Sequence, residues 1–175
     1  NGAQLQVPVL SIAPPRFETS VRLHFHKRGA MSNLFIDCQP TLPTPRNKNE
    51  VLLQVRAVGL NFRDVLNVLG EYPGDPGPPG GDAAGVLVDA ALCQSVDKSV
   101  FGLGQAPLAC MAVATISFLA PKPANLCFEQ ASTLPVAWCT AHAAIGRAAV
   151  CSGRAIVVQA AAGGVGLKAV EHSQW

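Results

Sequence analysis

The chain has 175 residues, 49% of them hydrophobic and 14% charged, with 16 Gly and 14 Pro. That mix suits a buried, loop-rich domain with many strands and excludes a disordered tail or a coiled coil. The net charge is +2 and the 13 basic residues are spread along the chain, so neither nucleic acid nor an anionic membrane is expected as a partner.

The opening Asn1-Gly2 lacks a Met and the basic and apolar regions of a secretory signal, so the chain is read as excised from something longer. Residues 1–20, with Pro8, Pro14 and Pro15, read as a linker or the edge of a preceding domain. From residue 21 the order Val21-Arg22-Leu23-His24-Phe25-His26-Lys27 alternates apolar and polar side chains, the period of a half-buried strand. His24 and His26 share its polar face. Two imidazoles at that spacing hold a metal only with a further ligand, and none lies nearby in sequence, so a solvated face is the reading.

A loop over 40–48, with Pro40, Pro43 and Pro45, leads into a second alternating strand at 51–58. Leu60, Asp64, Val65, Leu66, Val68 and Leu69 then fit a short helix that Gly70 ends. Arg63 and Asp64 read as an ion pair at its start. The stretch 72–81 is rich in Pro and Gly and is a turn-rich loop; its glycine triplets are too few for collagen. Strands are expected at 83–88 and 100–103, with one or two more over 108–119. Short strands at this spacing suggest a small barrel. The apolar run 108–120 spans 13 residues, short of the roughly 20 needed to cross a bilayer.

After Pro123 the character changes. Segments 128–134 and 136–149 are rich in Ala and read as helices. Residues 155–160 form an apolar run without alternation, the mark of a parallel strand buried on both faces. It enters Ala161-Ala162-Gly163-Gly164-Val165-Gly166, a glycine turn with Ala161 in the first of its three small-residue slots, followed by a helix. Such a turn lets backbone approach a pyrophosphate over the free amides of a helix start. Leu167 separates Gly166 from Lys168, so this is not a phosphate-binding loop of the Gly-Lys-Ser/Thr type.

The cysteines Cys38, Cys93, Cys110, Cys127, Cys139 and Cys151 lie 12 or more residues apart, with no Cys-x-x-Cys pair. Most are expected to be reduced, buried, small hydrophobes, and no local zinc site is encoded.

Taken in order, Asn61-Phe62-Arg63-Asp64, Tyr72-Pro73-Gly74, Gly80-Gly81-Asp82-Ala83-Ala84-Gly85, Leu134-Pro135 with Thr140-Ala141, and the turn 161–166 resemble the zinc-independent medium-chain dehydrogenase/reductases. Within them the chain looks most like the enoyl reductase domain of type I polyketide and animal-type fatty acid synthases, over roughly 28–171. Asn61-Phe62 stands where zinc-dependent relatives carry a cysteine ligand, so the resemblance implies no metal. The implied fold is mixed α+β and α/β: a GroES-like β-barrel substrate domain over 21–125, then the truncated start of a Rossmann fold over 126–175.

The resemblance implies hydride transfer from NADPH to the β-carbon of an enoyl thioester on an acyl carrier protein, then protonation of the α-carbon, within a multienzyme synthase in the cytoplasm. It implies Tyr72 as a proton donor, Asn61 and Thr140 on the nicotinamide side, and Ala161, Gly163, Gly164, Val165 and Gly166 under the pyrophosphate. A tyrosine before Pro-Gly can equally just cover a loop. Asp82 replaces a usual glutamate, 88–99 lacks a usual Gly-x-Gly-Val turn, and 171–175 replaces a usual Gln-Leu-Ala run. Two alternatives stand beside this reading: a free-standing quinone reductase, and a catalytically inactive fragment. Since Ile156, Val157 and Val158 need sheet neighbours, the last 25 residues are expected to be poorly held.

Overall fold

A computed structural model describes residues 19–39, 41–88 and 98–174. The linker expected over 1–20, the altered turn inside 89–97, Cys93, Pro40 and Trp175 lie wholly or mostly outside the described residues.

The first alternating segment is β1 (Val21–Phe25), paired antiparallel with β2 (Leu34–Cys38) across a short 3-10 turn, Met31–Asn33. His24 and His26 are exposed on this hairpin and flank Phe35, with ring centroids 5.5 and 4.2 Å from it. The hairpin docks through backbone bonds from Leu23 N–H to Leu108 O, 2.7 Å, and from Cys110 N–H to Val21 O, 2.8 Å.

Four strands close into an antiparallel barrel: β3 (Glu50–Gly59), β4 (Asp82–Leu87), β5 (Ser99–Gln105) and β6 (Met111–Pro121), with β6 returning to β3. Alternation in β3 sends Val51 and Leu53 inward and leaves Gln54 and Arg56 exposed. The inward set joins Ala83, Leu87, Val100 and Ala114 in one core. The run 108–120 supplies a single long strand, β6. Between β3 and β4 lies α1 (Phe62–Leu69), stopped by Gly70 in a left-handed conformation at φ 75°.

Beyond the barrel come α2 (Phe128–Ser132), α3 (Pro135–Arg147) and α4 (Gly164–His172). Pro135 at the first position of α3 suits the helix start, where its missing N–H goes unused. α4 lies against α3: the Lys168 ammonium sits 5.2 Å from the Trp138 ring, and a ring nitrogen of His142 is 3.2 Å from one of His172.

Two expectations need correction. Residues 155–160 do not form a strand: they run without ladder partners, and Val157 is 92% exposed. A parallel strand exists only against neighbours, and the described residues offer it none, so the α/β character stops at the turn and helix. The described cysteines are free thiols, but Cys38, Cys127, Cys139 and Cys151 are exposed and Cys110 is half-buried. They fall at strand and helix ends and on the outer faces of elements, where small size does not by itself bring burial. No helix among the described residues is long and apolar enough to cross a membrane.

Candidate functional site

The site begins at the start of α1. Asn61 precedes the helix in extended conformation, its backbone N–H donating to Asp64 Oδ2 at 2.9 Å. Asp64 N–H donates back to Asn61 O at 2.9 Å, and Asp64 Oδ1 accepts from Gly80 N–H at 2.7 Å. This buried carboxylate therefore ties the helix start to the Pro-Gly loop. The Arg63–Asp64 ion pair does not form. Successive residues on a helix face different ways, and Arg63 instead donates to Pro76 O and lies 5.5 Å from the centre of the Tyr72 ring. Tyr72 is half-buried in that loop, and among the described residues its hydroxyl has no hydrogen-bond partner.

Asp82, at the start of β4, is 1% exposed. Its Oδ2 accepts from Asn61 Nδ2 at 3.1 Å and its Oδ1 from Val136 N–H at 2.9 Å. Burial pushes the Asp82 carboxyl above its ordinary range; the bonds from Asn61 and Val136 pull the other way, and the nearby Asp64 charge adds to the rise. Behind this carboxylate Gly59 ends β3, where a Cβ would come within 2.2 Å of Ser132 O. The barrel rim, the start of α1 and the start of α3 thus meet at one buried acid. Thr140 lies one turn beyond Val136 on α3, on the same side of the helix, and is exposed.

The glycine turn is built at the start of α4. Ala160 takes a left-handed conformation at φ 53°, and Gly163 N–H donates to Ala160 O at 3.0 Å. At Gly166 a Cβ would sit 2.2 Å from Ala160 O, so only hydrogen fits there. The bond from Leu167 N–H to Gly163 O, 2.9 Å, opens the helical ladder, which leaves the amides of Gly164, Val165 and Gly166 without intrahelical acceptors. Gly163, Gly164 and Val165 are exposed, Ala161 is half-buried, and a Cβ at Gly164 would meet nothing within 4 Å. Free amides, a helix of nine residues behind them and open space in front fit a pyrophosphate.

Asn61 and α3, and with it Thr140, are brought together through Asp82. Among the described residues no hydrogen bond joins Tyr72 to Asn61 or Thr140, or the glycine turn to the barrel. Asp82 was missed as an organising residue. Its signal was a carboxylate opening the apolar stretch 82–87, where burial demands partners. Among the described residues no cluster of three or more His, Cys, Asp or Glu is poised for a metal.

No family model matches the chain. In sequence it is 33% identical over 187 residues to a phenolphthiocerol synthesis polyketide synthase type I of Mycobacterium bovis, covering 100% of this chain and 9% of that protein. It is 38% identical over 148 residues to an erythronolide synthase of Saccharopolyspora erythraea, covering 81% of this chain and 4% of that one. In structure it superposes on the CurK enoyl reductase with a TM-score of 0.78 at 31% identity, over 90% of this chain and 52% of the other. The quinone oxidoreductase of Thermus thermophilus, also solved as its NADPH complex, gives 0.67 at 32% identity over 89% and 49%. The chain therefore spans a small part of its synthase relatives and about half of the solved reductases.

Proposed function

Because the chain belongs to the medium-chain dehydrogenase/reductases, among their enoyl reductases and quinone oxidoreductases, we propose that it is part of a synthase enoyl reductase that reduces the carbon–carbon double bond of an enoyl thioester with NADPH. The nicotinamide, when bound, supplies the hydride to the β-carbon. Residues 21–125 form the substrate domain and 126–175 the first part of the cofactor domain, in a cytoplasmic multienzyme whose acyl carrier protein delivers the substrate. The observation that carries this reading is the turn at 161–166, whose free amides face open space on a helix packed against the one that holds Thr140.

The residues have separate tasks. Ala161, Gly163, Gly164, Val165 and Gly166 hold the pyrophosphate by backbone amides and the helix start. Asn61 and Thr140 orient the nicotinamide side, so that the two reacting carbons meet in line. Tyr72 donates its hydroxyl proton to the α-carbon as the enolate collapses, leaving a phenolate that is reprotonated from solvent; the Arg63 guanidinium, 5.5 Å from the centre of the ring, packs over it. Asn61-Phe62 offers no thiolate where zinc-dependent relatives carry a cysteine ligand, so on this reading no zinc ion polarises the enolate oxygen.

The test is consumption of NADPH by the reductase domain that contains this chain, with a short enoyl thioester and with a quinone offered separately. Turnover of the thioester with Tyr72→Phe about a hundredfold slower is expected. Turnover of the quinone alone would replace the enoyl reductase reading with that of a free-standing quinone reductase. Since the chain spans about half of the solved reductases, the 175 residues by themselves are expected to bind NADPH weakly or not at all, and tight binding would contradict the assignment of 126–175 as the first part of the cofactor domain.

A further inference from the structure

Asp82 has no part in the proton transfer or in the pyrophosphate turn, yet it is the most deeply buried acid of the described residues. Its two oxygens serve elements remote in sequence: Asn61 Nδ2 at 3.1 Å, ahead of α1, and Val136 N–H at 2.9 Å, in the first turn of α3. We infer that Asp82 is a positioning residue of the nicotinamide side, one carboxylate that sets the Asn61 side chain and, through the start of α3, Thr140 in a common frame. This rests on the reading of Asn61 and Thr140 proposed above.

The chemistry of the acid makes it suited to that task. An ionised carboxylate only accepts, so it holds the nitrogen and not the oxygen of the Asn61 amide toward itself. Val136 N–H is one of the amides that an α-helix start leaves unpaired, and a negative charge there is favoured by the helix dipole. The carboxylate also has little freedom to swing. A Cβ on Gly59 would lie 2.9 Å from the Asp82 Cβ, so strand β3 backs the side chain directly. Asp64 serves a different pair of donors, its oxygens accepting from Asn61 N–H and Gly80 N–H.

The test compares two probes on the reductase domain that contains this chain: NADPH, and 2′-phospho-ADP-ribose, which lacks the nicotinamide. D82N puts an N–H where one of the two donors now points, so the Asn61 amide or the start of α3 must shift. NADPH binding is expected to weaken about tenfold while the adenine-side probe binds as before, within about twofold. Asn61→Ala is expected to show the same selective loss, with D82N adding little on top of it. Should D82N not fold, Asp82→Ser, smaller and still an acceptor, carries the same expectation. Equal weakening of both probes, or of neither, would overturn the inference, as would a wild-type domain that ignores NADPH. A domain that binds NADPH but leaves enoyl thioesters unreduced would sink the substrate reading alone, because the positioning test is read from binding.

Discussion

Leu53 and Val157 are comparable apolar residues in runs that both read as strands in sequence, yet one is 0% and the other 92% exposed. Leu53 lies in β3, between β4 and β6, where the barrel closes on itself and leaves no free edge. Val157 lies in a run whose pattern asks for sheet on both sides, and no strand of the described residues meets it. The barrel strands pair with one another and enclose a core of their own, while the run before the glycine turn has no strand partner among the described residues. α3 and α4 stand between these extremes, held to each other by the Trp138, Lys168, His142 and His172 contacts and to the barrel by the Val136 N–H to Asp82 bond.

Hydrogen exchange gives the largest expected contrast: amides of β3 should exchange about a thousandfold or more slowly than those of 155–158, which should exchange at nearly unprotected rates. Strong protection at 155–158 in the purified monomer would erase the distinction. The next largest effect is Leu53→Ala, expected to lower unfolding free energy by about 2–5 kcal/mol in denaturant titrations, because the cavity opens in a closed core. Acidification should sharpen the role of the acid at the junction. Its pKa is raised in the folded chain, above the 3.8 of an ordinary Asp, so the folded form takes up the proton first. Above the raised pKa the ionised group counts against folding, and as pH falls through it toward 3.8 the stability of the wild type should rise relative to D82N. Unfolding midpoints of both chains from neutral pH downward check this, and parallel curves would refute it. The smallest effect is Val157→Ser, expected to change stability by less than about 0.5 kcal/mol, since an exposed side chain has no packing to lose.

Much of the fold was legible from local pattern. Alternation at 51–58 announced β3, Gly70 announced the end of α1, and the spacing of short strands announced a barrel, because each depends on side-chain period or backbone conformation within a few residues. The same logic misplaced 155–160. An apolar run states that a strand would be buried if paired; it says nothing about whether the pairing residues are at hand. The candidate site divides the same way. The turn at 161–166 was visible as spacing, and Gly166 proves to need its hydrogen because of the nearby Ala160 carbonyl.

What the sequence determined by itself was local: which segments extend, which coil into helices, where a glycine is required, and the order of motifs that marks the family. Tertiary structure alone decided that Arg63 turns from Asp64 to the Tyr72 ring, that the described cysteines remain largely exposed, and that Asp82 joins Asn61 to the start of α3. Those outcomes depend on which groups remote in sequence become neighbours when the barrel closes, and a buried carboxylate takes its partners from whatever donors that closure brings within reach.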